Sequence, residues 1–265
     1  MNRAMESMPA DSGAITREQD TTQNGPVVAM EHLKKSFGDH RVLQDINLVV
    51  NKGEDLVILG QSGTGKSVLI KCIVGLLDPD EGKLLIFGRN TAELKEKELM
   101  EIRKRIGFLF QSSALYDSMT VRDNLEFPLR RQLRSLSQDQ MDMLVKEALQ
   151  NVGLADAIEK TPSELSGGMR KRLGLARTLI LKPEIMLYDE PTAGLDPITS
   201  KEISALIREV QRTYNTSSII ITHDIECARR TANRIIVIKE GICVAEGSYA
   251  DLKGSKDPWV RSFFE

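Results

Sequence analysis

The sequence predicts an α/β fold, a mostly parallel sheet with helices on both faces. Three observations carry that prediction. A compact apolar run at 55–59 leads straight into a glycine-rich loop. Short apolar runs at 185–188, 218–222 and 234–238 alternate with helical segments, and between these two regions residues 121–154 change to helical periodicity. That stretch reads as a helical insertion in a sheet protein.

Taken in order, residues 1–26 are polar, with no apolar stretch after Asn2-Arg3, and read as a disordered tail rather than a signal peptide. Residues 28–33 and 42–49 read as two strands joined at Gly38-Asp39. The run at 55–59 has the continuous apolar character of a buried strand. A helix is predicted to begin near Gly65 and to carry Val68, Leu69, Cys72, Ile73 and Leu76 on one face. Residues 83–87 and 107–110 read as further strands. In the insertion, Ser137 and Gln140 form a capping box. Met141, Leu144, Val145, Ala148, Leu149 and Val152 follow at helix spacing, and Gly153 ends the helix. A helix over 199–213 separates the first two of the late strands. No internal repeat is visible, and one glycine-rich loop makes this chain half of any two-site machine.

Composition narrows the class. A chain of 265 residues can bury one large core, with room for a smaller lobe. Lys plus Arg (36) nearly balance Asp plus Glu (38), which gives no overall drive toward nucleic acid or an anionic membrane. Apolar runs such as 219–221 and 234–238 fall far short of the roughly 20 residues that span a bilayer. Any membrane path must then belong to a partner. Cys72, Cys227 and Cys243 show no metal-binding spacing and read as small buried side chains in a reducing cytosol. His32 and His40 read as structural.

The glycine-rich loop carries chemistry. Gly60-Gln61-Ser62-Gly63-Thr64-Gly65-Lys66-Ser67 fits G-x-x-x-x-G-K-[ST] in full and sits between a predicted strand and a predicted helix. Glycines let backbone N–H groups approach phosphate oxygens, and the following helix directs its positive end at the same charge, so residues 60–67 and Val68 are expected to hold the nucleotide. In that frame Lys66 reaches the β- and γ-phosphates of a nucleotide and Ser67 offers its hydroxyl to Mg²⁺. Downstream, Asp189-Glu190 closes the apolar strand at 185–188, at the end that faces the ligand crevice in a doubly wound sheet. Asp189 is placed for the Mg²⁺ shell, and Glu190 to polarise an attacking water.

With these motifs, Leu165-Ser166-Gly167-Gly168-Met169 lies just ahead of the acidic strand. In that order and company, residues from about 27 to 247 resemble the ATPase subunits of ABC transporters. The signature matches the family's LSGGQ pattern except at Met169. The resemblance implies a P-loop NTPase fold with a mostly parallel core, an N-terminal antiparallel β subdomain and a helical signature subdomain at about 112–180. It implies that two copies pair head to tail around two ATP molecules, each held by one copy's phosphate loop and the other's Ser166, Gly167, Gly168 and Met169. It also places Phe37 against adenine, where tyrosine is the more usual residue, and gives Gln111 the sensing of Mg²⁺ and attacking water. Residues 193–196 become the loop that signals across the dimer, and His223 the switch residue at the γ-phosphate. A thioether at Met169 cannot make the hydrogen bonds of an amide, yet Ser166, Gly167 and Gly168 still supply the phosphate contacts.

Within the family, residues 110–124 and Phe127-Pro128-Leu129 resemble the ATPases of Mla/Mce-type lipid transporters, as do Arg170-Lys171-Arg172, Asp196-Pro197-Ile198-Thr199 and residues 257–264. This implies a peripheral subunit on the cytoplasmic face of the inner (plasma) membrane. Its partners would be a second copy, an integral membrane permease, and Mce-type lipid-binding and regulatory subunits. Lipoprotein release and small-solute import are the alternatives within transport. ABC proteins of DNA repair need coiled coils or zinc-bearing insertions, and this chain has neither heptads nor cysteine clusters. Soluble ribosome-acting ABC factors carry two phosphate loops, and a P-loop kinase has no use for residues 165–169. The ATPase domain is expected over 27–250. The tail at 251–265, with Trp259, Val260, Phe263 and Phe264 at helix-like spacing, is expected to dock either on its own domain or on a neighbouring subunit.

Overall fold

In the computed structural model of the chain, residues 25–133 and 135–265 are described. The expected disordered tail thus lies, but for its last two residues, outside the described part. The chain opens with a hairpin of β1 (Val28–Phe37) and β2 (His40–Val50), which turns at Gly38-Asp39. Both strands run past their predicted ends because the hairpin pairs to its tip, with Phe37 opposite His40. Next, β3 (Asp55–Leu59) is buried along its whole length and feeds α1 (Lys66–Ile73). The strands β4 (Glu81–Ile86) and β5 (Arg89–Asn90) return to the hairpin and widen its antiparallel edge. After α2 (Glu96–Lys104), β6 (Ile106–Leu109) enters the main sheet.

The helical insertion is α3 (Val121–Gln132), α4 (Gln138–Asn151) and α5 (Gly167–Leu179). The Ser137 hydroxyl caps α4 by accepting from the Gln140 N–H, and the Gln140 side chain accepts from the Ser137 N–H, as the capping pattern predicts. Alternation then resumes through β7 (Ile185–Asp189), α6 (Pro197–Tyr214), β8 (Ser217–Ile221), α7 (Ile225–Thr231), β9 (Arg234–Lys239) and β10 (Ile242–Gly247). Two short helices, α8 (Tyr249–Lys253) and α9 (Pro258–Arg261), end the chain.

All the strands join one sheet in the order β5-β4-β1-β2-β10-β9-β3-β8-β7-β6. From β9 to β6 the pairing is parallel. At the other end, β5, β4, β1 and β2 are antiparallel. The two halves meet through β10, which is antiparallel to β9 and touches β2 at a single parallel pair, Ile242 with Asp45. The P-loop NTPase architecture with an antiparallel N-terminal subdomain and a helical subdomain is therefore as expected.

Two apolar clusters cover the sheet. One gathers Leu125, Val145, Leu173 and Ile207 from the insertion and α6 against Met186 and Tyr188. The other packs Leu69 and Ile73 of α1 between Ile46 of the hairpin and Ile219 of β8. Leu76 does not belong to the buried face of α1: the helix stops at Ile73 and Gly75 takes φ +72°, so Leu76 leaves the helical stripe and is exposed. Ile70 takes its place in the core. The C-terminal aromatic residues fold back on their own domain. Val260 and Phe264 are buried in the first cluster, and Phe264 meets Tyr249 edge-on at 5.3 Å. All three cysteines are free; Cys72 and Cys227 are buried, and burial pushes both thiols up to about 11. No helix among the described residues is long and apolar enough to cross a membrane.

At the opposite end of the parallel strands from the glycine-rich loop, Asp55 begins β3 opposite Ser218 of β8. Asp55 Oδ1, Ser218 Oγ, Thr216 Oγ1 and Tyr188 Oη are buried without a well-formed hydrogen bond. Burial pushes the Asp55 carboxyl up to about 6, with the nearby Ser218 hydroxyl and Arg208 guanidinium only partly offsetting it. The folded chain thus holds this proton to a higher pH than the unfolded one. The resulting instability is absent below pH ~4, grows as pH rises to about 6 and stays constant above. Asp55→Asn is expected to raise the unfolding free energy at pH 7.5 by on the order of 2 kcal/mol, with the gain vanishing near pH 4. Urea titrations of both proteins at the two pH values check this.

A candidate nucleotide site at the carboxyl edge of the parallel strands

The carboxyl ends of β3, β6, β7 and β8 lie side by side because their register is parallel, with Ile58 beside Ile221, Asp189 beside Ile221 and Leu109 beside Tyr188. The loops that leave these ends carry the predicted site. After β3 the chain turns through residues 60–65 into α1, whose N-cap Gly65 adopts φ +95°. A side chain there would strain the backbone, and a Cβ would lie 2.8 Å from the Val42 carbonyl of β2. The loop is thereby held against the antiparallel hairpin.

Lys66 opens α1 and is only 6% exposed. Its Nζ donates to the Gly60 and Gln61 carbonyls at 2.7 and 2.9 Å, which keeps the ammonium on the inside of the loop. Burial pulls its pKa below the usual lysine value, against the attraction of Glu190 and Asp189. Thr64 Oγ1 donates to the Gln61 carbonyl at 2.9 Å and braces the same turn. Ser67 Oγ donates to Asp189 Oδ1 at 3.3 Å across the gap between α1 and β7. Burial pushes the Asp189 carboxyl above its usual range, the Ser67 bond opposing and neighbouring Glu190 adding. A hydroxyl beside a half-buried carboxylate, facing a phosphate loop, suits Mg²⁺, which takes one or two protein oxygens and completes its shell with phosphate and water. Bound there, the ion would neutralise phosphate charge.

Glu190 adopts a left-handed conformation, φ 49°, uncommon for a residue with a side chain. Its N–H donates to the Ile221 carbonyl at 2.8 Å, and Lys171 Nζ approaches its carbonyl at 3.4 Å. This turn directs the carboxylate at the end of β8, where Oε2 meets His223 Nδ1 at 2.9 Å and accepts from the Thr222 hydroxyl at 3.3 Å. The His223 side chain is otherwise open to solvent. Asp224 caps α7, accepting from the N–H groups of Glu226 and Cys227, while its other oxygen accepts from Thr192 Oγ1 at 2.8 Å. That bond ties the segment after Glu190 to the segment after His223. Gln111 lies exposed just past β6, beside the acidic strand end.

The sequence-predicted residues therefore fall into two groups. Lys66, Ser67, Gln111, Asp189, Glu190 and His223 converge at one edge. Phe37 stands at the tip of the hairpin, 49% exposed, on the subdomain that braces the loop. Ser166, Gly167, Gly168 and Met169 open α5 elsewhere, and among the described residues no hydrogen bond or ion pair joins them to the phosphate loop. Ser166 Oγ caps α5 by accepting from the Met169 N–H at 3.2 Å. The Met169 side chain packs on the main apolar cluster, which is where the thioether finds its partners. Gly168 is required by close approach, since a Cβ would lie 2.5 Å from Thr199 Cγ2 of α6. At its neighbour Gly167 a Cβ would meet only Leu195 Cδ2, at 3.4 Å.

Two buried polar side chains that lie within the quoted motifs support these loops in a way the sequence did not show. Lys171 was read only as part of a basic run, though it follows Gly168 and precedes Leu175 on the buried stripe of α5. A charge on a buried helical stripe is the signal that could have found it. Asn124 is fully buried, accepting from the Tyr116 N–H and donating to the carbonyls of Tyr116, Met119 and Thr120. It shapes the exposed loop at 116–120, and its role follows from no spacing rule.

Comparison with known proteins gives the site a context. The family described as ABC transporter matches residues 43–193. A Mycobacterium leprae protein named probable ribonucleotide transport ATP-binding protein mkl is 42% identical over 239 residues, 90% of this chain and 69% of its own length. Its Mycobacterium bovis counterpart is covered over 66% of its length, so this chain spans about two thirds of these relatives. The methionine import ATP-binding protein MetN of Rhizobium johnstonii is 39% identical, over 88% of this chain and 64% of its own. The Arabidopsis thaliana protein TRIGALACTOSYLDIACYLGLYCEROL 3, chloroplastic, is 37% identical, over 97% and 79%. Among solved structures, the ATP-binding cassette MJ0796, dimeric in a post-hydrolysis state with ADP and Pi, superposes with a TM-score of 0.76 at 33% identity, covering 84% of this chain and 98% of that one. The Clostridium perfringens cbiO1 chain, part of the cbiONQ transporter complex, gives 0.81 at 30% identity, covering 88% and 92%.

Proposed function

The chain belongs to the ABC transporter family as an ATP-binding, ATP-hydrolysing subunit, and from that premise we propose that it powers a separate membrane permease that moves phospholipid or another hydrophobic molecule between bacterial membranes. The observation that carries the ATPase part is the convergence of Lys66, Ser67, Asp189, Glu190 and His223 at one sheet edge. On this reading Lys66 swings from its loop carbonyls to the phosphates, and Ser67 and Asp189 hold Mg²⁺ with Gln111 at its rim. Glu190 orients the attacking water and takes its proton, and His223, paired with Glu190, contacts the γ-phosphate. Phe37 stacks on adenine. The loop amides of residues 60–68 cradle the phosphates.

Ser166 and the N–H groups of Gly167 and Gly168 open α5 with no hydrogen bond to the chain's own phosphate loop among the described residues. That supports a head-to-tail dimer in which each copy completes the other's site, and the cassette MJ0796 that the chain resembles is dimeric. A single copy is then a poor catalyst. ATP binding closes the pair, closure pulls on the permease, and hydrolysis releases it. The subunit works at the cytoplasmic face of the inner membrane, bound to the permease through the loop that Asn124 shapes.

The lipid reading rests on residues 110–129, the stretch similar to Mla/Mce-type ATPases, and on the relative whose name is that of a glycolipid. Small-solute import is the second reading, and the match to MetN favours it. Affinity purification of the chain from detergent-solubilised native membranes, with mass spectrometry of the proteins and lipids that follow it, separates the two. A permease with an Mce-type binding protein and phospholipid is expected; a solute permease overturns the cargo.

Two substitutions test the site. Glu190→Gln is expected to bind ATP, remain an ATP-dependent dimer and lose at least about 100-fold in turnover. Lys66→Ala is expected to weaken ATP binding by about 10-fold or more, as one charged contact to phosphate is lost. Fluorescent-nucleotide titration, size exclusion and steady-state phosphate release read these outcomes.

A further inference from the structure

We propose that Lys171 is a positioning residue for ATP hydrolysis: its ammonium fixes the backbone carbonyls of Gln111 and Glu190 together, so that the helix bearing Ser166 and Gly167 sets both side chains. The inference rests on the reading of Gln111 and Glu190 as hydrolytic residues.

Lys171 lies on α5 one turn after Gly168 and is only 6% exposed. Its Nζ donates to the Gln111 carbonyl and approaches the Glu190 carbonyl at 3.4 Å. Among the described residues no carboxylate lies within ion-pair distance of it. Burial alone pulls such an ammonium below its usual pKa, and here only the more distant negative field of Asp189 and Glu190 opposes that. Burying an ammonium costs several kcal/mol, and an apolar side chain would fill the same space without that cost. The charge therefore adds little to stability; what it adds is direction, because carbonyl dipoles align on a cation and packing against a methyl group leaves them free to turn.

The two carbonyls are the ones that matter for aim. Glu190 is held in a left-handed conformation by two restraints, its N–H on the Ile221 carbonyl and its carbonyl toward Lys171. Releasing the second lets the peptide rotate and carries the carboxylate away from His223. Gln111 lies at the start of the turn after β6, in which Ser113 and Ala114 both take positive φ. The same helix grips that turn again six residues on, where Arg177 Nη1 donates to the Ala114 carbonyl at 2.6 Å. A helix that holds the loop after β6 at both ends moves it as it moves. A rotation of the helical insertion that brings Ser166 toward a partner's nucleotide therefore reorients Gln111 and Glu190 of its own copy in the same step.

The test compares Lys171→Met, which keeps the stem and removes the donors, with Lys171→Gln, which keeps an N–H donor. In the full-length chain, Lys171→Met is expected to lower kcat about tenfold or more with KM for ATP within about twofold, and Lys171→Gln to recover most of that loss. Equal losses in both variants, a loss carried by KM, unchanged turnover in Lys171→Met, or a collapse of its urea midpoint would each assign Lys171 to packing and overturn the proposal. Glu190→Gln measured alongside separates the underlying reading: normal turnover in that variant removes Glu190 from its role whatever Lys171 does.

Discussion

Parallel register between β3, β8, β7 and β6 is the constraint on which the site depends. Each strand ends at the same height, so the residues that follow them meet without long excursions. Ser67, after β3, reaches Asp189 of β7 past the end of β8, which lies between them, and Glu190 reaches His223 between adjacent strand ends; the partners are separated in sequence by 122 and 33 residues. A slip of one residue in any pairing would turn every side chain of that strand to the other face and carry its end past its neighbours. Buried polar residues at the starts of β3 and β8, Asp55, Ser217 and Ser218, sit at defined positions of that register.

Two lysines sit within this frame as buried cations satisfied by carbonyls rather than by carboxylates, Lys66 on its own loop and Lys171 between two loops. Neither is neutralised by a close ion pair, and both feel the field of Asp189 and Glu190. On the proposed function, such an arrangement stores positive charge where a triphosphate adds negative charge. Buried side-chain oxygens without a well-formed hydrogen bond gather toward the other end of the same strands, on Asp55, Thr216 and Ser218, with the Tyr188 hydroxyl. The backbone there is nonetheless well bonded, since the Gly53 N–H donates to Ser217 Oγ and the Asp55 N–H to Asn233 Oδ1.

Much of this was legible in the sequence because the signals were local. The phosphate loop, the acidic strand end and the caps of α4 and α5 depend on residues a few positions apart. Strand interiors were found by their apolar runs and strand ends were not, since toward the tip of the β1–β2 hairpin the paired residues, Phe37 apart, are mostly polar or charged. Leu76 was misplaced because helical spacing continues in the sequence past the point where Gly75 breaks the helix. The return of Val260 and Phe264 to their own core required knowing that the surface under α8 was available. Asn124 and Lys171 both act on backbone carbonyls; Lys171 left one trace, a charge on a buried helical stripe, and Asn124 left none.

The seam between the sheet's two halves has an evolutionary consequence. Backbone joins β2 to β10 at one register pair, where the Gly241 carbonyl accepts from the Gln44 N–H at 2.9 Å and the Asp45 N–H at 3.4 Å, and Arg234 of β9 adds a bond to the Val49 carbonyl. A join with so few directional bonds tolerates drift on one side. The hairpin bearing Phe37 can lengthen, shorten or exchange its aromatic residue while the strands that aim Glu190 and His223 keep their register. The chain is in this sense modular, with a variable fitting mounted on an inherited frame, and on the proposed function selection can retune how the base is gripped without disturbing the strand ends that carry Glu190 and His223.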